Sequence, residues 1–269
     1  MPLSFARVVL LAVAALFLLA ACKDSKDGDA SAIIQVIADE YSYAMPDSAE
    51  GGVVTFELEN DGSTLHEFAF GRIDPGHTAE EVQALFESEG GEPPDWIHDL
   101  GGVPVLSPGK TATLTRELRE PGTYVFLCAI PDAQGKPHIS LGMIKLFELS
   151  GDSGASLPEA DVVIEATDDA FLVPELQGGT QLIELRNSAS EPREFQMLSL
   201  EQGKTFDDLE AWFEGGLQGP APALFPGGMQ TIDAGTSVFL EMDLEAGRTY
   251  LLTSETEDGG EISSEFTPE

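Results

Sequence analysis

Short runs of apolar, β-branched and aromatic residues form the main pattern of the chain after residue 31. Gly, Pro, Asn and Asp separate these runs at short intervals, which is typical of an antiparallel β-sandwich. In the first half of the chain the runs predict strands near 32–38, 52–59, 65–70, 111–118, 123–128 and 141–149. The pattern therefore predicts an all-β fold.

One short helix interrupts the predicted strands in each half. In the first half Thr78 can cap the helix, and three apolar residues at three- and four-residue spacing form one face: Val82, Leu85 and Phe86. In the second half Thr205 takes the place of the cap, and the apolar face consists of Leu209, Trp212 and Phe213. We therefore expect one helix insertion in each of two similar units.

The two halves of the chain repeat one another at a period of about 127 residues, which is the size of a domain. The matching segments are 51–60 with 178–187, 80–86 with 207–213 and, after a slip of one residue, 101–103 with 227–229 and 122–128 with 248–254. This order predicts a tandem duplication with copies at 32–149 and 161–269. A stretch rich in Gly, Ser and Pro, residues 150–160, is the predicted linker.

The first 21 residues contain one basic residue, Arg7, followed by an apolar run that is too short to span a bilayer comfortably. This predicts a signal peptide. The run ends in Leu-Ala-Ala-Cys22, which resembles the lipobox of bacterial lipoproteins and implies lipidation of Cys22. Residues 22–31 would then be a flexible tether, and the protein would be exported and anchored to the cell membrane, facing the periplasm or the cell exterior. An ordinary secretory signal with a chance Cys is the alternative.

Acidic residues outnumber basic ones by 48 to 13, and the formal charge is −35. Such a surface repels nucleic acid and favours basic protein partners or cations. A salt-adapted proteome or simple solubility explains the charge equally well. Because the charge is spread along both halves, it does not mark a site.

Cys128 would be the only free thiol of the exported chain if Cys22 carries lipid. An unpaired Cys outside the cytoplasm is usually either deeply buried or bound to a metal. Here a predicted strand ends at Cys128, a loop containing Pro131 leads to His138, and the next strand begins near Met143.

This segment resembles the ligand loop of the cupredoxins, the blue copper proteins. The resemblance implies two tandem cupredoxin-like Greek-key β-sandwiches and one mononuclear type 1 copper site in the first. In this family the second imidazole comes from an upstream strand, which is where His66 lies. The resemblance therefore implies His66 and His138 as nitrogen ligands, Cys128 as the thiolate and Met143 as the axial ligand, a donor set that suits both Cu(I) and Cu(II).

The sequence departs from the family at two points. Nine residues separate Cys128 from His138, a loop longer than that of plastocyanin or azurin and comparable to that of copper nitrite reductases. Residue 67 is Glu rather than the Asn that is common after the first His. The side chain that usually supports the thiolate is therefore different here.

The second copy lacks the ligands. Arg193 replaces His66, Ser254 replaces Cys128, and no His or Cys follows His138. We expect a degenerate cupredoxin-like domain without copper there. The two remaining imidazoles, His77 and His98, have no role in the resemblance and are expected to be solvated residues of a loop or helix start.

The ligand inventory leads us to expect an electron carrier and not an enzyme, because too few His residues remain for a catalytic copper and only one thiolate is present for a binuclear site. A carrier would pass single electrons to redox partner proteins of the cell envelope through an exposed edge of His138. The alternative is copper storage or delivery, or a lipoprotein that binds other proteins without redox chemistry. Oligomeric state is left open.

Overall fold

The computed structural model describes residues 31–87, 94–256 and 259–269. Within these residues the chain forms seventeen strands and two short α-helices, so the predicted all-β fold is confirmed. The predicted signal peptide, Cys22 and the tether as far as residue 30 lie outside the described residues. In the part that is described, no helix is long and apolar enough to cross a membrane.

Nine strands and one helix make up the first copy. They are β1 (Ala32–Asp39), β2 (Ser42–Ala44), β3 (Ser48–Glu50), β4 (Gly52–Asn60), β5 (His66–Ile73), α1 (Ala79–Glu87), β6 (Ile97–Leu106), β7 (Thr111–Leu118), β8 (Gly122–Leu127) and β9 (Ile144–Ser150). Eight strands and one helix follow in the second copy. They are β10 (Val162–Ala166), β11 (Phe171–Leu172), β12 (Gly179–Asn187), β13 (Arg193–Leu200), α2 (Phe206–Glu214), β14 (Ala223–Ile232), β15 (Ser237–Leu244), β16 (Tyr250–Glu255) and β17 (Glu261–Phe266).

Each copy is a sandwich of two sheets. In the first copy β2, β1, β4 and β7 face a sheet in the order β3-β9-β8-β5-β6. In the second copy β11, β10, β12 and β15 face a sheet in the order β14-β13-β16-β17. The first strand of each copy runs parallel to its neighbour, with Ala32 opposite Val54 and Val162 opposite Ile183. The two copies therefore share one topology, as the repeat predicts.

Aromatic side chains from both sheets fill the core of the first copy. Phe56 from one sheet packs edge-on against Phe126 from the other, with ring centroids 5.2 Å apart, and Phe126 stacks on Phe70 at 5.3 Å. Alternation along the strands directs these rings inward, since successive side chains of a strand point to opposite faces. The core ends at Cys128 and Met143, both completely buried.

The two copies are joined by backbone pairing into a single eight-stranded sheet. Strand β7 of the first copy pairs antiparallel with β15 of the second, and Leu114 lies opposite Leu240. These two leucines occupy equivalent positions of the repeat, so the pairing has a local two-fold axis between them. The hydrogen-bond ladder of one copy thus continues into the other, and neither β7 nor β15 is an edge strand.

A second contact joins the facing sheets. Strands β6 and β14 lie beside one another. Ser107, which follows β6, exchanges two hydrogen bonds with Phe225 on β14. The Ser107 amide donates to the Phe225 carbonyl at 3.0 Å, and the Phe225 amide donates to Ser107 Oγ at 2.9 Å. The predicted linker, residues 150–160, lies between β9 and β10, and its bounds stay a prediction.

Strand β6 is not predicted by the pattern, because its Gly-Gly-Val-Pro stretch is typical of a turn. Gly102 has a φ of +131°, and a Cβ at this position would lie 2.1 Å from the Phe68 carbonyl oxygen. The pair of glycines therefore permits a bulged strand to pass close to β5, where the pairing register shifts.

The helices begin where the caps predict, but their apolar faces are only partly buried. Thr78 Oγ1 accepts from the Glu81 amide at 3.3 Å, and Thr205 Oγ1 accepts from the Asp208 amide at 3.2 Å. In α1 only Val82 is buried, while Leu85 and Phe86 are exposed; in α2 Leu209 and Trp212 are buried, and Phe213 is exposed. Each helix therefore lies on the surface of its sandwich and contacts it through these buried residues only.

Because the two copies share a sheet, we expect them to unfold in one transition. The chain has two Trp residues, one in each copy, so Trp212→Phe leaves Trp96 to report the first copy and Trp96→Phe leaves Trp212 to report the second. Leu240→Ala is expected to lower the free energy of unfolding by about 2–5 kcal/mol at both reporters. Leu172→Ala, at an exposed position of the second copy, is the control. A shift in the Trp212 curve alone would show that the copies unfold independently.

Candidate metal centre

Three soft or borderline donors meet at one end of the first sandwich. His66 is the first residue of β5, Cys128 follows the last residue of β8, and His138 begins a 3-10 turn that ends at Leu141. All three are buried, and their ligand atoms lie within 4.8 Å of one another. The structure thus brings together three of the four side chains that the resemblance implies as ligands.

The donor atoms of these three side chains lie close together. Cys128 Sγ lies 3.4 Å from His138 Nδ1, and the two imidazole rings are tilted with centroids 5.1 Å apart. His66 Nδ1, His66 Nε2 and His138 Nε2 are buried and have no hydrogen-bond partner. Buried polar atoms rarely go unpaired, so this cluster fits a metal ion, and a thiolate with two imidazoles suits copper.

Met143, the fourth predicted ligand, lies close by in the chain that returns from the loop. It is completely buried and belongs to the same apolar cluster as Cys128. The Cys128 amide donates to the Met143 carbonyl at 3.3 Å, and the Met143 amide donates to the His138 carbonyl at 3.0 Å. The backbone therefore holds Met143 beside both ligands, while the role of its thioether stays a prediction.

The long loop between Cys128 and His138 is folded back on itself. Pro131 and Pro137 lie opposite one another as an antiparallel bridge, and Asp132 Oδ1 accepts from the amides of Gln134 and Lys136 at 2.8 Å each. The His138 amide then donates to the Ile130 carbonyl at 2.9 Å. The extra length thus forms a small closed hairpin and leaves the two ligands adjacent.

Glu67 supports the thiol from the position of the usual Asn. Its backbone amide donates to Cys128 Sγ at 3.3 Å, and its Oε2 accepts from the Ala129 amide at 2.7 Å. Its Oε1 accepts from Gln230 of the second copy. One residue thus contacts the ligand sulfur, the chain beyond it and the other domain.

Burial keeps the donors of the cluster uncharged in the absence of a cation. Burial, together with the nearby Glu67 carboxyl, raises the pKa of Cys128 to about 12. Burial and the neighbouring His66 lower the pKa of His138 to about 4, and burial lowers the pKa of His66 as well. Burial also raises the pKa of the Glu67 carboxyl to about 7. The imidazoles are therefore neutral, which is the form that binds metal.

Glu40 holds the loop that leads into His66. Its Oε1 accepts from the Ser63 amide at 2.6 Å and from the Thr64 amide at 3.0 Å, and both hydroxyls donate to it as well. Burial by itself would raise the pKa of Glu40, but these hydrogen bonds outweigh it and lower the pKa to about 2. The same oxygen lies 3.7 Å from His66 Nε2, which is too long for a hydrogen bond.

The expected exposed edge of His138 is not observed. His138 is only 1% exposed, and the ring of partly buried Tyr41 covers it with centroids 4.5 Å apart. Beside this pair lies a cleft of about 340 Å³ between the two copies, lined also by Pro131 and by Trp212 of the second copy. The sequence could not show this, because Tyr41 lies in the β1–β2 turn, far from His138 in the chain, and the cleft forms only with the second copy.

The second copy keeps the framework of the site without its ligands. Ser254 Oγ accepts from the Glu194 amide at 3.0 Å, as Cys128 Sγ accepts from the Glu67 amide. Arg193 stands at the start of β13, where His66 stands in β5, and forms an ion pair with Glu191. No donor cluster is found in the described residues of this copy.

The other two His residues lie apart from the cluster and face carboxylates. His77 stacks on Trp96 with centroids 3.9 Å apart and approaches Glu81 at 3.3 Å. His98 lies on β6 and contacts Asp74 at 2.9 Å. Both are partly exposed, but His98 belongs to a strand and not to the loop or helix start that we expected.

No protein-family model and no curated protein matches the sequence. Among solved structures, the chain is similar to reduced auracyanin from Roseiflexus castenholzii, with 24% identity and a TM-score of 0.33 over 45% of this chain and 98% of that one. It is similar to a multicopper oxidase with 14% identity and a TM-score of 0.27 over 88% of each chain. It is also similar to a copper-containing nitrite reductase from Thermus scotoductus, with 12% identity and a TM-score of 0.25 over 88% of this chain and 61% of that one.

Each copy has a cupredoxin-like β-sandwich fold, and the first holds a buried cluster of one thiol and two imidazoles. This agrees with the fold that the resemblance implies. A buried thiol beside two neutral imidazoles is a donor set that suits copper.

The expectation that the chain is not an enzyme is wrong. The similar structures that extend over most of the chain include a multicopper oxidase and a nitrite reductase, and both are enzymes. The expectation depended on the number of His residues in one chain. Such a count covers only the ligands that a single chain supplies, and assemblies can combine residues from several chains.

We expect the contribution of Glu40 to stability to depend on pH. The folded state lowers its pKa from 4.5 to about 2, so its stabilisation is complete above pH 4.5 and is lost as the pH falls toward 2. In denaturant titrations, the difference in unfolding free energy between wild type and Glu40→Gln should be largest above pH 5 and should shrink below it. Glu261→Gln, at an exposed position of the second copy, is the control. An equal difference at all pH values would contradict the assignment.

Proposed function

We propose that the chain is a type 1 copper protein that transfers single electrons. The observation that carries this proposal is the cluster of His66, Cys128 and His138, whose ligand atoms lie within 4.8 Å of one another. Three of the four ring nitrogens in this cluster have no hydrogen-bond partner. Met143, buried in the same apolar core as Cys128, would complete the set as the axial ligand. A copper ion held by these four side chains would supply reversible one-electron chemistry.

The protein residues prepare this site before any ion binds. The neutral imidazoles need no deprotonation, while the Cys128 thiol must lose its proton to become a thiolate ligand. The Glu67 amide donates to Cys128 Sγ and is in place to stabilise the charge that then develops on the sulfur. The 3-10 turn and the hairpin of residues 131–137 would keep His138 beside the Cys128 sulfur with either Cu(I) or Cu(II) bound. This favours a small structural change between the two redox states.

Electrons would enter or leave beside Tyr41 and not at a bare imidazole edge. Tyr41 is the partly exposed ring that contacts His138, and the cleft next to it opens between the copies. A partner protein that docks over this cleft would reach the site through one aromatic ring. The acidic surface, with a formal charge of −35, would favour a basic partner.

We further propose that this electron transfer takes place at a membrane of the cell envelope. The lipobox-like sequence at Cys22 and the polar tether that follows support this part of the proposal. A tether would raise the effective concentration of the protein near membrane-bound redox partners. Detection of a diacylated Cys22 by mass spectrometry of membrane fractions tests it, and a mature chain without lipid would contradict it.

The absorption spectrum after addition of Cu(II) tests the site. We expect an intense visible band from thiolate-to-copper charge transfer, and we expect Cys128→Ser to abolish it. This variant is a clean control because Ser254 occupies the equivalent position of the second copy and accepts the same amide hydrogen bond, so the fold should tolerate it. A wild-type protein that shows no band and retains no copper after desalting would contradict the proposal.

The rate of copper transfer to a soluble chelator distinguishes a carrier from a storage or delivery protein. Because His138 is covered by Tyr41, we expect slow transfer from wild type and from Tyr41→Phe, which keeps the ring. Tyr41→Ala removes the cover and is expected to speed the transfer by about tenfold. Fast transfer from wild type would favour copper delivery instead.

A further inference from the structure

One side chain of the second copy bonds to the residue that follows His66. Gln230 lies on β14 and donates through its amide nitrogen to Glu67 Oε1 of the first copy. The strand that carries it is held against the first copy by the two hydrogen bonds between Ser107 and Phe225. This contact crosses between the domains and ends one residue from His66.

Glu67 is the residue through which such a contact can act on the thiol. Its amide donates to Cys128 Sγ at 3.3 Å, its other carboxyl oxygen accepts from the Ala129 amide at 2.7 Å, and its carbonyl accepts from the Tyr43 hydroxyl. A shift of the Glu67 side chain would therefore release the backbone that follows the ligand sulfur. Gln230 donates to Oε1, the carboxyl oxygen of Glu67 that does not accept from Ala129.

The contact between Gln230 and Glu67 has no equivalent on the other side of the local two-fold axis. By the repeat, the position equivalent to Gln230 is Pro104 on β6, whose side chain has no donor. The position equivalent to Glu67 is Glu194, whose amide donates to Ser254 and not to a ligand. In an interface with local two-fold symmetry, the bridge is thus present at the copper-binding copy and cannot form at the other.

We propose that Gln230 is a positioning residue for the copper site, and that the second copy is retained to hold the Cys128–Ala129 backbone through Glu67. This inference rests on the proposed function for its meaning. It assigns a task to a domain that has no ligands of its own. It also explains why a carboxyl can replace the Asn that is common in the family, since the second domain supplies the additional donor.

A pair of reciprocal variants tests the bridge. Gln230→Glu places a second carboxyl against Glu67 and is expected to speed copper dissociation to a chelator on the order of tenfold or more, the range seen for residues that orient metal ligands. In the double variant Glu67→Gln with Gln230→Glu the donor and acceptor are exchanged, because the amide introduced at position 67 can accept from Ala129 and donate to the carboxyl introduced at position 230. We expect most of the loss to be recovered, which a double-mutant cycle measures as a coupling between the two positions.

The second readout needs no copper. In the metal-free protein, the Ala129 amide should exchange its hydrogen on the order of tenfold faster in Gln230→Ala than in wild type, while Gln218→Ala, at an exposed position of the second copy, should leave it unchanged. Thermal unfolding of each variant shows that the fold is intact. Equal exchange in Gln230→Ala and Gln218→Ala, or a double variant no better than the sum of the single ones, would overturn the bridge. A wild type that binds no copper but shows the expected exchange pattern would overturn the proposed function and leave the bridge in place.

Discussion

The antiparallel pairing of β7 with β15 is the constraint on which the rest of the structure depends. It joins the two sandwiches into one eight-stranded sheet, with Leu114 and Leu240 at its centre. The copies cannot rotate relative to one another without breaking the backbone hydrogen bonds of this ladder. This pairing brings β14 against β6, and so brings Trp212 and Gln230 of the second copy to the metal centre of the first.

The metal centre contains buried polar groups that lack hydrogen-bond partners in an apolar setting. A thiol whose pKa is raised to about 12 and two neutral imidazoles are buried together, and three ring nitrogens lack a partner. Such groups are costly to bury unless something bonds to them. A cation that bonds to the sulfur and to one nitrogen of each ring lowers this cost, so the same burial that keeps the donors neutral also favours a soft metal ion over water.

The two copies show that the framework does not require the metal. Asn60 and Asn187 are buried at equivalent positions, and each donates to two backbone carbonyls that hold the loop before β5 or β13. The amide that reaches Cys128 in one copy reaches Ser254 in the other. The scaffold is therefore stabilised by backbone and amide hydrogen bonds, and the four proposed ligand positions are free to carry copper in one copy and none in the other.

Six of the nine strands of the first copy, the helix caps, the duplication and the set of candidate ligands could be predicted from the sequence, because each depends on local pattern or on residue identity. Local pattern does not reveal the Gly101-Gly102 strand, since its bulge is imposed by the close approach of Phe68. Local pattern also overstates the buried faces of the helices, because Phe86 and Phe213 would be buried only if another layer covered them.

The sequence by itself determined which residues carry the thiol and imidazole donors and that only one copy has them, because donor atoms belong to residue types. Only the tertiary structure decided how that site is enclosed. Tyr41 covers His138, Glu67 supports the thiol, and Gln230 holds Glu67 from the other domain. These contacts join residues that are far apart in the chain, and they exist because the shared sheet sets the two sandwiches in one fixed relation.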